Sequence, residues 1–117
     1  MTIKEVSEQY GLTEDTLRYY ERVGMIPRVT RSKSGHRDYQ ERDLSWVELA
    51  KCLRNAGLTV EAIVEYVRLS QEGEGTILER YQLLREQKEE LSEKRRKMDE
   101  ALERLDHKIA MYSQKLK

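Results

Sequence analysis

The stretch LTEDTLRYYERVGMIP, residues 12–27, decides the fold. Thr13 stands where a helix cap is expected, since its hydroxyl can accept a hydrogen bond from a free backbone N–H group, and two acidic residues follow in the favourable first turn. Leu17 and Tyr20 recur at helical spacing, and Gly24 is typical of a helix end. The stretch therefore predicts a short amphipathic helix with one face available for packing.

A second short helix is predicted immediately upstream. Thr2 and Glu5 have the spacing of a capping box, in which each side chain satisfies a backbone N–H group of the other residue. Val6 is one of several apolar residues that follow at helical spacing, and Gly11 ends the segment. Two short helices joined by a glycine turn are the helix-turn-helix pattern.

Downstream, residues 29–39 predict a small hairpin, here called the wing. Residues 29–31 and 36–39 have the composition of short strands, and Gly35 lies in the turn between them. The chain as a whole has no net charge, but residues 18–37 carry a local net charge of +5. The charged residues of this stretch are the basic Arg18, Arg22, Arg28, Arg31, Lys33 and Arg37 and the acidic Glu21.

Two more helices are predicted to complete the N-terminal part. Apolar residues return every three to four positions from Glu41 to Asn55, and Gly57 is placed to end that helix. Thr59 begins a fourth helix, which runs out near the glycine-containing residues 72–75. We therefore expect a domain over residues 1–74 and a separate C-terminal element over residues 75–117.

The C-terminal element predicts one unbroken helix of about 60 Å. Thr76 and Glu79 repeat the capping-box spacing, and neither Gly nor Pro follows. Two rows of residues seven apart form what we call the apolar seam, interrupted by Lys88 and Arg95. Its other members are Ile77, Tyr81, Leu84, Leu91, Met98, Leu102, Leu105, Ile109, Tyr112 and Leu116. Such a stripe predicts pairing with a second copy, the alternatives being a helix that folds back or acts as a spacer.

Composition narrows the class of protein. Cys52 is the single cysteine, which excludes an internal disulfide and favours a reducing compartment. No signal core or long apolar run is present, so a cytoplasmic protein without a membrane partner is expected. There is no phosphate-binding glycine loop or nucleophile with partners, and His36 and His107 are too distant to form a ligand set with the cysteine. We expect no enzyme activity, no metal and no cofactor.

The basic helix beside a basic hairpin favours DNA binding, since one helix fits the major groove and Lys and Arg bind phosphates, although a solvated charged face is the alternative. The sequences LTEDTLRYYERVGMIP and SGHRDYQERDL, the second at residues 34–44, resemble the MerR family of transcription regulators. The resemblance implies a mainly α protein, with a winged helix-turn-helix DNA-binding domain followed by a dimerisation helix that forms an antiparallel coiled coil. It also implies a homodimer on double-stranded promoter DNA that aids RNA polymerase indirectly, by bending and untwisting the spacer.

The resemblance also implies roles for individual residues. On the second helix, the residues expected to contact bases or phosphates are Thr13, Thr16, Arg18, Tyr19 and Arg22. From the wing, the expected contacts are Lys33, Arg37 and Tyr39. For Tyr20 both a contact with the DNA backbone and plain core packing remain open.

Cys52 allows two interpretations from its chemistry. Lys51 and Arg54 lie within two residues, and nearby cations favour the reactive thiolate, but a lone cysteine is often a small buried hydrophobe. WVELAKCLRNAGLTVEAIVEY, residues 46–66, is similar to the family branch that answers aldehydes, other electrophiles or nitrosative stress through one cysteine. This resemblance favours a sensor. The alternatives are a regulator that answers a non-covalent molecule or partner, with Cys52 only structural, and a coiled-coil adaptor that binds protein.

Overall fold

The computed structural model describes residues 1–117 and is built from helices. The elements in chain order are α1 (Ile3–Tyr10), α2 (Glu14–Val23), α3 (Glu41–Ala56), α4 (Val60–Gln71), a 3-10 turn (Glu74–Thr76) and α5 (Ile77–Lys115). The predicted mainly α class and the long final helix are confirmed. No helix is both long and apolar enough to cross a membrane.

Threonine side chains begin three of the helices as predicted. The Thr2 hydroxyl accepts the Glu5 N–H while the Glu5 carboxylate accepts the Thr2 N–H, which completes the capping box of α1. Thr13 accepts the Thr16 N–H at 3.0 Å at the start of α2. Thr59 caps α4 in the same way. These contacts satisfy donors that the helix itself leaves free.

The predicted capping box at Thr76 and Glu79 is wrong. Thr76 is the last residue of the 3-10 turn, and its backbone lacks the extended conformation of an N-cap. Its buried hydroxyl instead donates to the Leu69 carbonyl oxygen at 2.6 Å. The side chain therefore ties the start of α5 to the end of α4.

One hydrophobic core joins the first four helices and the wing. Its buried residues are Val6, Leu17, Tyr20, Met25, Ile26, Val29, Tyr39, Val47, Ala50, Leu58 and Ile63. The packing of Leu17 holds α2 against α1 and α3, so that the opposite face of α2 is free. The core therefore fixes which side chains α2 presents to solvent.

Leu17→Ala should lower the free energy of unfolding by about 2–5 kcal/mol, because the side chain is 0% exposed and its removal leaves a cavity. Urea unfolding at one fixed protein concentration would measure the loss. Leu78→Ala is the matched control, since Leu78 is exposed and lies outside the apolar seam, and it should change stability by less than about 0.5 kcal/mol. Equal unfolding midpoints for Leu17→Ala and the wild type would contradict the core assignment.

The wing is a turn with a single bridge, so the prediction of two strands is wrong. Only Arg31 and Arg37 pair as an antiparallel bridge, and the chain reverses through Gly35 at φ 88°. Two hydrogen bonds form this bridge, from Asp38 N–H to Thr30 O at 2.7 Å and from Ser32 N–H to His36 O at 2.8 Å. At the outer ends of the two arms of the wing, Val29 N–H donates to the Glu21 carboxylate and Tyr39 N–H to the Met1 carbonyl. These outside partners end the ladder after one pair.

Helix α5 packs on the N-terminal elements only over its first part. Its first part packs on the N-terminal elements through half-buried residues that include Leu83 and Leu91. The last such contact is the Lys94 ammonium, 3.4 Å from the Gly57 carbonyl oxygen. From Ser92 onward every residue is exposed, so the second half of α5 projects into solvent.

Candidate DNA interface

The free face of α2 carries three exposed residues of the predicted contact set, Arg18, Tyr19 and Arg22. Arg18 is exposed and is held by Asp15 at 3.0 Å and Glu14 at 3.3 Å. The Arg22 guanidinium lies over the Tyr19 ring, 5.4 Å from its centre. Exposed ion pairs of this kind are weak. They orient the Arg18 guanidinium, but it can exchange Glu14 and Asp15 for another anion at little cost in free energy.

The side chains of Thr13 and Thr16 form hydrogen bonds that cap the N-terminal end of α2. The Thr13 hydroxyl accepts the Thr16 N–H and donates to the Thr16 hydroxyl at 2.8 Å. Both residues lie at the N-terminal end of the helix, where the dipole and the unpaired N–H groups favour an anion. The structure therefore places them at the end of α2 that best suits a phosphate.

Glu21 is the residue of this region whose role the sequence does not reveal. Its side chain is 9% exposed, and its carboxylate receives Arg37 Nε at 2.7 Å, Arg31 Nη2 at 2.9 Å and the Val29 N–H at 2.9 Å. Burial alone would raise the pKa of Glu21, but the hydrogen bonds from Arg37 and Val29 and the charge of Arg31 outweigh it and lower the pKa. A buried, ionised carboxylate thus joins α2 to the wing.

Arg37 therefore has a structural partner that the sequence does not indicate. Its side chain is half-buried against Glu21, whereas Lys33 at the tip of the wing is exposed. Arg37→Ala would both remove a cation from the surface and leave the buried Glu21 carboxylate with fewer partners. Arg18 is consequently the cleaner position for testing DNA binding.

Two of the predicted contact tyrosines are core residues. Tyr20 is 6% exposed and Tyr39 is 1% exposed, and burial raises the pKa of both phenols. The Tyr39 hydroxyl is buried without a hydrogen-bonding partner. The expectation that Tyr39 contacts DNA from the wing is corrected, because its ring packs inward into the hydrophobic core. For Tyr20 the burial favours the packing alternative.

A basic cleft continues the surface of α2 onto α4. It has a volume of about 600 Å³, and Glu21 is its only acidic lining residue. The arginines that line it are Arg18, Arg22, Arg28, Arg31, Arg37 and Arg68. Arg68 and Gln71 of α4 are far in sequence from the basic stretch, and no sequence pattern associates them with it. The fold brings them to the same cleft.

Cys52 is exposed on α3, so the interpretation as a buried hydrophobe does not hold for the single chain. Both neighbouring cations bind backbone carbonyls rather than the thiol: the Lys51 ammonium donates to Tyr10 O and the Arg54 guanidinium to Leu58 O. No group of three or more His, Cys, Asp and Glu residues is placed to hold a metal ion. The Cys52 thiol is therefore accessible to solvent on this face of α3.

The apolar seam of α5 is open to solvent along most of its length. Nine of its apolar members are 43% to 87% exposed, and Leu91, which packs against the core, is the exception. Leu91 lies where the seam meets the contact between α5 and the N-terminal elements. An apolar stripe of this length is a typical site of protein association.

Two family models match the chain. The model described as MerR HTH family regulatory protein matches residues 1–70, and the model described as MerR, DNA binding matches residues 44–108. The chain belongs to the MerR family. The match includes α1 to α4 and much of α5, so that the interface described above lies within the regions that define the family.

Among curated MerR relatives, the HTH-type transcriptional regulator AdhR of Bacillus subtilis is 52% identical over 93 residues. The match covers 80% of this chain and 66% of AdhR, so the chain spans about two thirds of that relative's length. An HTH-type transcriptional regulator of Haemophilus influenzae is 32% identical over 111 residues, which cover 95% of this chain and 82% of the relative. These relatives are named as transcriptional regulators.

Solved structures give the same MerR fold. A MerR family transcriptional regulator from Listeria monocytogenes is 45% identical, with a TM-score of 0.93 over 97% of this chain and 86% of the other. HiNmlR, described as a MerR family regulator lacking the sensor domain and bound to promoter DNA, is 30% identical. Its TM-score is 0.89 over 97% of this chain and 90% of the other. The fold described here is therefore one that a relative uses on DNA.

Proposed function

We propose that this MerR family chain binds double-stranded promoter DNA as a homodimer, with α2 in the major groove and the tip of the wing on the adjacent backbone. The observation that carries the proposal is the exposure of Arg18 and Arg22 on the free face of α2, together with the exposure of Lys33 in the wing. Arginines can bind guanine or phosphate, and a lysine binds phosphate as a point charge. The likeness to a relative bound to promoter DNA supports the binding of DNA by this fold.

The dimer forms through the apolar seam of α5, in an antiparallel coiled coil. Beyond Lys94, every residue of the helix is exposed. In an antiparallel pair, the second half of one helix lies along the first half of the other and covers its exposed Ile77, Tyr81 and Leu84. Each chain thereby supplies the surface that the other leaves uncovered.

Activation proceeds by distortion of the promoter spacer, and RNA polymerase benefits indirectly. Bending a site of 20–30 base pairs costs on the order of 1–6 kcal/mol. Two DNA-binding units joined by a stiff coiled coil can hold such a deformation, because their separation is fixed before they meet the duplex. The continuous helix from Ile77 to Lys115 supports this role.

Cys52 senses an aldehyde, a related electrophile or thiol stress. An accessible thiolate can add to an aldehyde carbon, with a proton passing to the carbonyl oxygen to give a hemithioacetal. The adduct would add bulk on α3, which packs against both α2 and α4. A change on α3 would therefore act on the helix that enters the groove and on the helix that leads to α5.

Arg18→Ala should weaken binding to a promoter fragment by about 1–3 kcal/mol. It should also lower the slope of log Kd against log salt concentration by about one for each subunit of the dimer, since each α2 loses one cation. Fluorescence anisotropy across a series of KCl concentrations would measure both effects. Arg96→Ala is the matched control: Arg96 also bridges two acidic side chains of its own helix, and it lies on α5 outside the apolar seam. The control should bind as the wild type does. If the wild type binds no duplex from its own operon, the chain is not a DNA-binding regulator and the protein-adaptor alternative is favoured.

A further inference from the structure

Glu21 is an acidic residue in the basic surface that α2 and the wing form, which is an unusual position for an acid if that surface binds phosphates. It is the only acidic residue between Arg18 and Arg37, and it lies on α2 itself. An exposed carboxylate there would repel the DNA backbone. At 9% exposure, and with two guanidiniums within 2.9 Å, its charge is instead compensated inside the protein.

The two guanidiniums come from opposite arms of the wing. Arg31 and Arg37 are the two residues of the single β-bridge, and Val29, which donates its backbone N–H to the same carboxylate, begins the first arm. One side chain on α2 therefore holds both arms at the only place where they pair. The two hydrogen bonds of this bridge, from Ser32 N–H to His36 O at 2.8 Å and from Asp38 N–H to Thr30 O at 2.7 Å, join the two arms to each other.

A carboxylate is the group that these partners require. All three groups are donors, and an ionised carboxylate only accepts, so each hydrogen bond is satisfied at once. A glutamine at this position would present an amide N–H to at least one donor and would leave two guanidiniums close together without a compensating charge. The geometry is specific to Glu rather than to a polar residue in general.

We propose that Glu21 is a positioning residue that fixes the wing relative to α2, so that Lys33 at the tip reaches the same duplex as Arg18 on the helix. This inference rests on the proposed DNA binding. The Glu21 carboxylate is taken up by Arg31 and Arg37, so Glu21 acts through the wing and not by contact with the DNA. Without Glu21, Val29 and Tyr39 still hold the two ends of the wing in the core, but the bridge pair Arg31 and Arg37 and the tip beyond it lose their connection to α2.

A double-mutant cycle tests the proposal. The dissociation constant for a promoter fragment is measured for the wild type, Lys33→Ala, Glu21→Gln and the double variant over a series of KCl concentrations. In the wild-type background, Lys33→Ala should weaken binding and lower the salt slope by about one for each wing. In the Glu21→Gln background it should have almost no further effect, a coupling of about tenfold.

A merely structural role predicts a different result. Glu21→Gln would then lower the unfolding temperature, while Lys33→Ala would weaken binding by the same factor in both backgrounds, and that outcome would overturn the proposal. The proposal also fails if Lys33→Ala has no effect in either background while the wild type binds. Arg18→Ala paired with Lys33→Ala is the control cycle and should be additive. Glu21→Asp covers the case in which the glutamine variant does not fold, since it keeps the charge but is too short to reach all three donors, and it should reduce the effect of Lys33→Ala partly.

Discussion

Leu105→Asp is expected to convert the protein to monomers and to weaken promoter binding by about 100-fold to 10,000-fold. Leu105 is 56% exposed in the single chain and lies in the part of α5 that projects into solvent, so the substitution leaves the core intact. In the proposed coiled coil the same position is buried, where an uncompensated carboxylate is costly. The loss of DNA affinity follows because the second DNA-binding unit is no longer held beside the first.

Sedimentation velocity measures the association state of this variant, and anisotropy on the full promoter measures its affinity. Ala110→Asp is the matched control, because it places the same charge on α5 outside the apolar seam and should leave the dimer intact. A Leu105→Asp protein that sediments as a dimer would show that α5 pairs through another face. A monomer with unchanged affinity would contradict the linked-dimer mechanism while leaving the interface assignment in place.

Cys52→Ser is expected to abolish the transcriptional response to an aldehyde while changing promoter affinity by less than about twofold. The serine hydroxyl is close in size to the thiol but is far less nucleophilic, and Cys52 is the only thiol in the chain. A reporter fused to the promoter measures the response. Mass spectrometry of the treated protein shows whether an adduct forms on the wild type alone.

A second variant tests whether the response depends on the position of the thiol or only on its presence. Ser45 is exposed on α3, seven residues before Cys52 and on the same helix face, so Ser45→Cys combined with Cys52→Ser moves the thiol by about two helical turns. This variant should form an adduct without restoring the response. A full response from Cys52→Ser alone would remove the sensor hypothesis and favour an effector that binds without a covalent bond.

The features predicted correctly from sequence are those that depend on residues close together in the chain. The helix starts at Thr2, Thr13 and Thr59 are confirmed, since a cap and its N–H partner lie three residues apart. Thr76 has the same local pattern, but its hydroxyl is bound by the Leu69 carbonyl across the turn, which a local pattern does not reveal. Local chemistry thus identified the helices, and tertiary contacts decided how their ends are used.

In the candidate interface, too, local sequence predicts some features correctly and tertiary packing decides others. Arg18, Tyr19, Arg22 and Lys33 are exposed, as a contact role requires. Tyr39 shares the polar surroundings of the wing in sequence, yet its ring is in the core. Composition does not distinguish an inward from an outward aromatic residue in so short an arm, because no strand alternation extends far enough to define two faces.

The projecting part of α5 makes the molecule sensitive to very small rotations. From Ser92 to Lys115 the helix extends about 36 Å past its last packed residues. A tilt of about 5° where α4 and Leu91 hold its base would swing the far end by about 3 Å, close to the rise of about 3.4 Å per base pair along a DNA strand. In the proposed dimer the helix would thus act as a lever arm, and an adjustment smaller than a side chain at its base would move the far end by about the height of one base pair.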